Sequence, residues 1–266
     1  NLVNSSGVVA TDTSGVGTAR FNLAAASYGI DKAIFGYGQT GVGNVNMSNL
    51  VSNSGVVATD VTGVGTARTQ LAAASYGGDK AIFGYGGSTT SLTNLVSNSG
   101  VVGSDVTGVG SGRGALAAAG YGADTAIFAY GDTGSEVNMS NLVSNSGVVA
   151  ADVTGVGTAR NYLAAATYGT DKAIFAYGNN GSFLNMSNLV NSSGVVGSDV
   201  TGVGQTRQQL AGTGYGGDKA IFGYGVNGPN RSMTNLVSNS GVVASDTTGV
   251  GSARQGIAAA GYSISA

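Results

Sequence analysis

The triplet Asn-Leu-Val begins at Asn1, Asn49, Asn94, Asn141, Asn188 and Asn235, at spacings of 48, 45, 47, 47 and 47 residues. A chain repeated on this period builds one supersecondary unit several times. Each unit buries its apolar face only by stacking on its neighbours. The period fits a propeller, a helical solenoid or another stacked array. The fullest copy, residues 49–86, reads NLVSNSGVVATDVTGVGTARTQLAAASYGGDKAIFGYG, and a short loop of changing sequence leads from it to the next copy.

Between helix and strand the copies decide. TARTQLAAASY in the second copy lacks glycine and by itself could form a short helix. Gly112 and Gly114 interrupt the third copy, Gly212 and Gly214 the fifth, and Gly256 the sixth. Each interior glycine costs a helix about 1 kcal/mol relative to alanine. The rest of the unit sets Val, Thr, Ile, Phe and Tyr between Gly and Asn-Ser turns, which favours strands. Four strands are expected in the second unit: residues 71–76, 80–85, 92–97 and 101–106. The runs AAA and AIF in the first two are nearly continuous and suit strands buried on both faces.

Composition narrows the function classes. The 266 residues include 48 Gly, one Pro, and no Cys, His or Trp. Without His and Cys, the commonest general base, the thiolate nucleophile and the commonest metal ligands are missing. No metal site and no cofactor are expected. No basic cluster exists to neutralise phosphates, so nucleic acid is not an expected partner. No apolar run approaches the 18 residues of a membrane-spanning helix.

The run Arg68-x-x-Leu-Ala-Ala-Ala-x-x-Gly-Gly-x-Lys-Ala-Ile-Phe-Gly-Tyr-Gly resembles a kelch repeat. That family carries an Arg, an Ala-rich strand, a short turn, and an aliphatic–aromatic strand ending in paired glycines. Here the pair is split as Gly84-Tyr85-Gly86, and the family's Trp is absent. DKAIFGYG followed by NLVSNSGVVATD is also similar to repeat proteins of marine bacteriophages. The resemblance covers essentially the whole chain. It implies an all-β, kelch-like β-propeller, one domain over residues 1–266, and a virion or tail-associated, extracellular setting.

The blade count follows from the copies. The Ala-rich strand and the third and fourth strands each occur six times. The AIF strand occurs five times, at Ile34, Ile82, Ile127, Ile174 and Ile221. About six four-stranded blades are expected. The last would be built from both termini and left short of its second strand, which the tail 263–266, flanking sequence or another chain would replace; an oligomer could form there. The alternative is five closed blades with an appended segment.

The charges sort by the repeat. Arg20, Arg68, Arg113, Arg160, Arg207 and Arg254 share one position, and Asp12, Asp60, Asp105, Asp152, Asp199 and Asp246 another, eight residues earlier. A second Asp series, Asp31, Asp79, Asp124, Asp171 and Asp218, lies in the first turn. Residues written alike in every copy read as scaffold, with Arg bonding carbonyls or Asp. The alternative is an Arg ring at a channel mouth that binds an anion. Lys32, Lys80, Lys172 and Lys219 follow the second Asp in four copies, and only Asp132, Glu136 and Arg231 fall outside the repeated charges. A glycosidase needs two carboxylates in one cleft, whereas Asp132 and Glu136 share one loop. The chain therefore reads as a non-enzyme, with no catalytic residues.

Two segments vary between copies. One is the pair after the repeated Arg: Phe21-Asn22, Thr69-Gln70, Gly114-Ala115, Asn161-Tyr162, Gln208-Gln209 and Gln255-Gly256. The other is the loop after the second strand, at residues 39–46, 87–91, 132–138, 179–185 and 226–232; these loops hold Asp132, Glu136, Phe183 and Arg231. An up-and-down meander brings both segments to one face and the constant turns to the other. The expected ligand face comprises Phe21, Asn22, Thr69, Gln70, Asn161, Tyr162, Gln208, Gln209, Asp132, Glu136, Phe183 and Arg231. Its amides, hydroxyls and aromatic rings suit a host-surface glycan or protein. The competing expectations are loop drift and a structural virion protein that contacts its neighbours.

Overall fold

The computed structural model describes residues 1–87 and 90–262. Ser88 and Thr89, in the second variable loop, and the tail 263–266 lie outside the described residues. Among these there is no helix, and the strands form five three-stranded antiparallel sheets. The first holds β1 (Ala24–Tyr28), β2 (Lys32–Gly36) and β3 (Ser48–Val51). The second holds β4 (Ala72–Tyr76), β5 (Lys80–Gly84) and β6 (Thr93–Val96). The third holds β7 (Ala117–Tyr121), β8 (Thr125–Ala129) and β9 (Ser140–Val143). The fourth holds β10 (Ala164–Tyr168), β11 (Lys172–Asn179) and β12 (Phe183–Val190). The fifth holds β13 (Ala211–Tyr215), β14 (Lys219–Gly223) and β15 (Thr234–Val237).

Each sheet pairs in sequence order and in one register. In the second, Ala74 faces Ile82, Ile82 faces Leu95 and Phe83 faces Asn94. The middle strand ends one residue earlier than its apolar run suggests. Tyr85 turns to φ 64, and so do its counterparts Tyr37, Tyr130, Tyr177 and Tyr224 within a few degrees. The ladder stops there in four sheets and in the fourth resumes past a register shift, with Gly178 facing Leu184 and Asn179 facing Phe183; the ring swings toward the following sheet.

The expected fourth strand is not continuous. It survives as two isolated bridges per unit, for example Val51–Val57 and Ser48–Val61. Three residue steps on β3 oppose four on its partner. The extra residue is a β-bulge, which breaks the ladder. The side chain of Asn49 fills it, donating to the Ala58 carbonyl (3.0 Å) and to Asp60 (2.9 Å). Asn94, Asn141, Asn188 and Asn235 repeat both bonds in their units.

The Ala-rich strands β1, β4, β7, β10 and β13 lie side by side in that order. β1, β4 and β7 alternate buried and half-buried residues instead of being buried on both faces. Ala25, Ala73 and Ala118 line a shared cavity of about 190 Å³. Alanine is what allows so many strands to converge there. The middle strands carry the bulk between sheets. Phe83, Phe128, Phe175 and Phe222 are fully buried. Each packs on the Tyr of the preceding sheet, with ring centroids 5.2–5.6 Å apart.

The two ends of the described chain join. Val3 bridges Val9, as the third and fourth strands do elsewhere. Asp12 accepts from the Ser252 N–H (2.8 Å), the Ser252 hydroxyl (2.7 Å) and Arg254 (3.1 Å), and Arg254 also bonds Asn1. This terminal unit lies against the first sheet, where Ser27 donates to the Gly261 carbonyl at 2.7 Å. It also meets the fifth sheet, where Gly7 sits on Tyr215 and Leu236.

Candidate functional site

The Arg series is internal. Arg113 donates through Nε to the Tyr130 carbonyl (2.8 Å) and through Nη2 to Asn141 (2.7 Å), with Asp152 at 3.7 Å. Its guanidinium lies 4.5 Å from the centre of the Tyr85 ring, on the preceding sheet. Arg68, Arg160, Arg207 and Arg254 repeat the Tyr contact at 4.2–4.6 Å. With Arg113, Arg160 and Arg207 wholly buried, these guanidiniums are not a ring open to an anion. The Asn of each Asn-Leu-Val triplet is the missing link in this network, joining Arg to Asp. Sequence reasoning used that Asn only as a landmark. Its invariance beside the Arg and Asp series was the available signal.

The second Asp series holds the constant turns. Asp31, Asp79, Asp124 and Asp218 accept from Asn53, Asn98, Asn145 and Asn239 at 2.9–3.1 Å. Both constant turns of a unit therefore meet at one end of the sheet.

The variable segments meet at the other end. Phe21 bridges Gln39, Gly114 bridges Asp132, Asn161 bridges Asn179, and Gln208 bridges Val226. The first residue of the pair is thereby laced to the variable loop of its own unit in these four, and the Gly87 N–H donates to the Thr69 carbonyl (2.8 Å) in a fifth. The Asn161 amide also donates to Asp132 of the preceding unit at 3.1 Å. Five-residue strands separate this end from the constant turns by about 15 Å, at roughly 3.3 Å per residue.

The second residues of the pairs form a closed ring. The N–H of Asn22 donates to Gly256, Gln70 to Asn22, Ala115 to Gln70, Tyr162 to Ala115, Gln209 to Tyr162, and Gly256 to Gln209, all at 2.7–3.0 Å. All six have left-handed backbones, φ 51–63. Together with the Leu or Ile that follows each, they line a cavity of about 100 Å³. Gln70 also donates its side-chain amide to the Tyr162 hydroxyl. Burial pushes the Tyr162 phenol up, which keeps it a neutral donor and acceptor at ordinary pH.

The structure thus gathers Asn22, Gln70, Tyr162 and Gln209 at one mouth and sets Phe21, Thr69, Asn161 and Gln208 beside them. Thr69 stays within 3.5 Å of the Asn22 carbonyl. Phe21 is 45% exposed, whereas Asn161 is buried. The loop residues stay apart. Asp132 bridges Glu136 within one loop, Phe183 pairs with Asn179 in another, and Arg231 donates to Asn227 (3.3 Å) in a third. Ala115 and Gly256 complete the ring, although their small side chains singled neither out. Among the described residues no group of His, Cys, Asp and Glu is arranged to hold a metal. The mouth offers neutral amides and a phenol, with backbone groups already paired to each other. That set can donate and accept hydrogen bonds and stack on a ligand ring. Comparison with protein-family models gives no match, and comparison with curated proteins gives no relative.

Proposed function

We propose that this chain is a kelch-like, six-bladed β-propeller that acts as a non-enzymatic binding module through its variable face. The ring of six backbone bonds, one donor from each unit, supports closure, as does the clasp between the two termini. The observation that carries the binding role is the choice of side chains at the ring. Every ring position requires a left-handed backbone, a conformation that costs a non-glycine residue of order 1–3 kcal/mol. Gly256 fills it without that cost. Gln70, Tyr162 and Gln209 occupy it instead, beside a cavity. Strain kept at a mouth lined by amides and a phenol favours recognition over drift.

The ligand class is a host-surface glycan or a protein loop, held over several units by shallow contacts. The virion or tail setting that the resemblance to phage repeat proteins implies belongs to this proposal. Glycan-array and host-cell binding by the intact protein tests this. Changing Gln70, Tyr162 and Gln209 together to Gly should abolish binding and leave the fold intact. Binding that survives the triple change would overturn the reading. A second reading, a structural virion scaffold, draws on the near-identity of the repeated scaffold residues; it expects assemblies and no ligand.

A further inference from the structure

The turn between the first two strands of each sheet keeps its Gly and Asp and varies between them, at Ile30, Gly78, Ala123, Thr170 and Gly217. All five have left-handed backbones: Ile30, Ala123 and Thr170 at φ 73, 73 and 69, Gly78 and Gly217 at 77 and 83. Glycine takes this conformation freely, whereas a β-branched residue there is a genuine outlier. The Thr170 hydroxyl donates to the Gly169 carbonyl at 2.5 Å. Ile30 has no polar group to use, and it is 67% exposed. The fold gains neither a bond nor a buried side chain from it.

Ile30 does not stand alone. The Asn-Ser turn of every unit is followed by a valine in solvent: Val8, Val56, Val101, Val148, Val195 and Val242 are 61–66% exposed. The Asn53 amide donates to Asp31 (3.1 Å), and the α-carbon of Gly29 lies against the Asn98 carbonyl. The Ile30 turn therefore sits between the turns that carry Val56 and Val101. Bonds between units hold this end of the sheets. The N–H of Gly29 donates to the Asp79 carbonyl, Gly77 to Asp124, Gly122 to Asp171 and Gly169 to Asp218, at 2.6–2.8 Å. The charges here are paired internally. Lys32, Lys80, Lys172 and Lys219 each meet the preceding Asp at 2.8–3.5 Å.

We propose that the constant-turn end of the molecule is a homodimer interface, occupied by the same surface of a second copy of this chain. One exposed valine per unit, at one repeat position, makes the surface match itself about a two-fold axis, as an isologous contact requires. With each Lys held by its own Asp, two such surfaces meet without like-charge repulsion, and these lysines do not select an anionic partner. A stable dimer buries about 800 Å² of each partner, less than a tenth of the 10443 Å² that the chain exposes. The six valines, Ile30 and the turns between them run through every unit and supply that area, with apolar side chains set across it. The bonds between turns fix the surface before contact, so association costs little ordering. Ile30, present in one unit, sets the register between the copies. Both variable faces stay free on opposite sides of the dimer, and the contact does not depend on ligand binding there.

Sedimentation equilibrium of the intact chain across the micromolar range tests the assignment. A mass approaching twice 25.8 kDa, with no larger species, is expected. Ile30→Gly installs the residue found at Gly78 and Gly217, and should weaken dimerisation at least tenfold with the far-UV circular dichroism unchanged. Val56→Lys combined with Val101→Lys puts two unpaired charges beside Ile30 and should leave only monomer, again with unchanged circular dichroism. Val42→Lys, in a variable loop where the valine is fully exposed, should leave the dimer intact. A monomer at every concentration would overturn the proposal. So would a dimer that survives the Val56 and Val101 changes together, or one that Val42→Lys dissociates. Assembly that continues beyond two copies would mean a contact that does not close, and would overturn it too.

Discussion

The third sheet and the terminal unit are written in nearly the same words, yet they differ in kind. In the third sheet, Ala117 to Tyr121 forms a strand paired residue by residue with β8. In the terminal unit, the matching Ala258 to Tyr262 has the same Ala-rich composition and no ladder among the described residues. The Arg, Asn and Asp of both units still find one another. Among the described residues the polar clasp is present with no middle strand beside it, whereas the sheet and its aromatic interlock are not. Strand character here belongs to the partner at least as much as to the segment.

The sharpest way to break this comparison is to remove the same Arg from both kinds of surroundings. Arg113→Ala strips the buried Asn141 and the Tyr130 carbonyl of their donor and leaves a cavity beside Tyr85. Its cost should be about 3–5 kcal/mol in urea unfolding, the range for breaking a buried charged network. Arg20 keeps its bond to Asn49 but has no described ring on which to lie. Arg20→Ala should cost about 1–2 kcal/mol, the ordinary range for a single substitution. Equal losses would mean that the Tyr rings contribute nothing to the Arg sites.

Next in size is the aromatic interlock. Phe128→Leu trims a fully buried ring in contact with Tyr85, and should cost about 1–3 kcal/mol through lost contacts and imperfect repacking. Phe35→Leu, at the partly exposed position, should cost about 0.5 kcal/mol, as surface changes do. A thermal melt of each variant measures both. Similar shifts would show that Phe35 is as tightly packed as its counterparts.

What the sequence made legible follows the same division. The first three strands were readable because apolar and β-favouring runs sit between Gly and Asn-Ser turns in every copy. The fourth was read as continuous because a bulge depends on counting residues against a partner, and Val57 to Val61 has no partner until β3 is placed. The Arg and Asp series were recognised as scaffold, but Asn49 and its counterparts were not joined to them. Their contacts span 9 to 29 residues and cross between strands. The sidedness of Phe21, Asn22, Thr69 and Gln70 was legible because strand parity alone fixes it. The left-handed ring was not, since Gln and Tyr are poor signals for that conformation.

Both extremes of pH should weaken the fold, through different groups. Asp12 in the terminal clasp is held below its ordinary value of 3.8, first by the Ser252 hydroxyl and then by the Ser252 N–H. Asp60 in the first sheet is held down by the Thr18 hydroxyl and the Asn49 amide. A depressed carboxylate stabilises the fold above its unfolded pKa, and that contribution is lost as pH falls below 3.8. Both regions should therefore weaken in acid, and Asp12→Asn should flatten the acid limb. At the alkaline end, burial pushes Tyr37, Tyr85 and Tyr177 up to about 12. Their contribution is complete below pH 10 and lost between about 10 and 12. Tyr85→Phe should reduce that loss, as read from urea midpoints across the range. An alkaline limb unchanged by Tyr85→Phe would mean that this phenol ionises as freely in the folded chain as in the unfolded one.

The smallest expected effect is the most informative about function. Tyr130 and Tyr162 both sit in left-handed backbone, at φ 63 and 51. Tyr130 repays that conformation with a buried ring between Phe175 and Arg160 and a bond from its hydroxyl to the Val156 carbonyl. Tyr162 is only half-buried, at the mouth, and its hydroxyl is bonded by Gln70 alone. Replacing each by Gly removes the same backbone strain and a side chain of the same size. Tyr130→Gly should lose about 3–5 kcal/mol, as core aromatic truncations do. Tyr162→Gly should change stability by about 0.5 kcal/mol or less, because relief of strain offsets the lost contacts. A side chain that costs the fold nothing to remove is held there for something outside the fold. If Tyr162→Gly destabilises the chain as severely as Tyr130→Gly, the mouth is part of the core, and recognition would have to be sought in the outer loops.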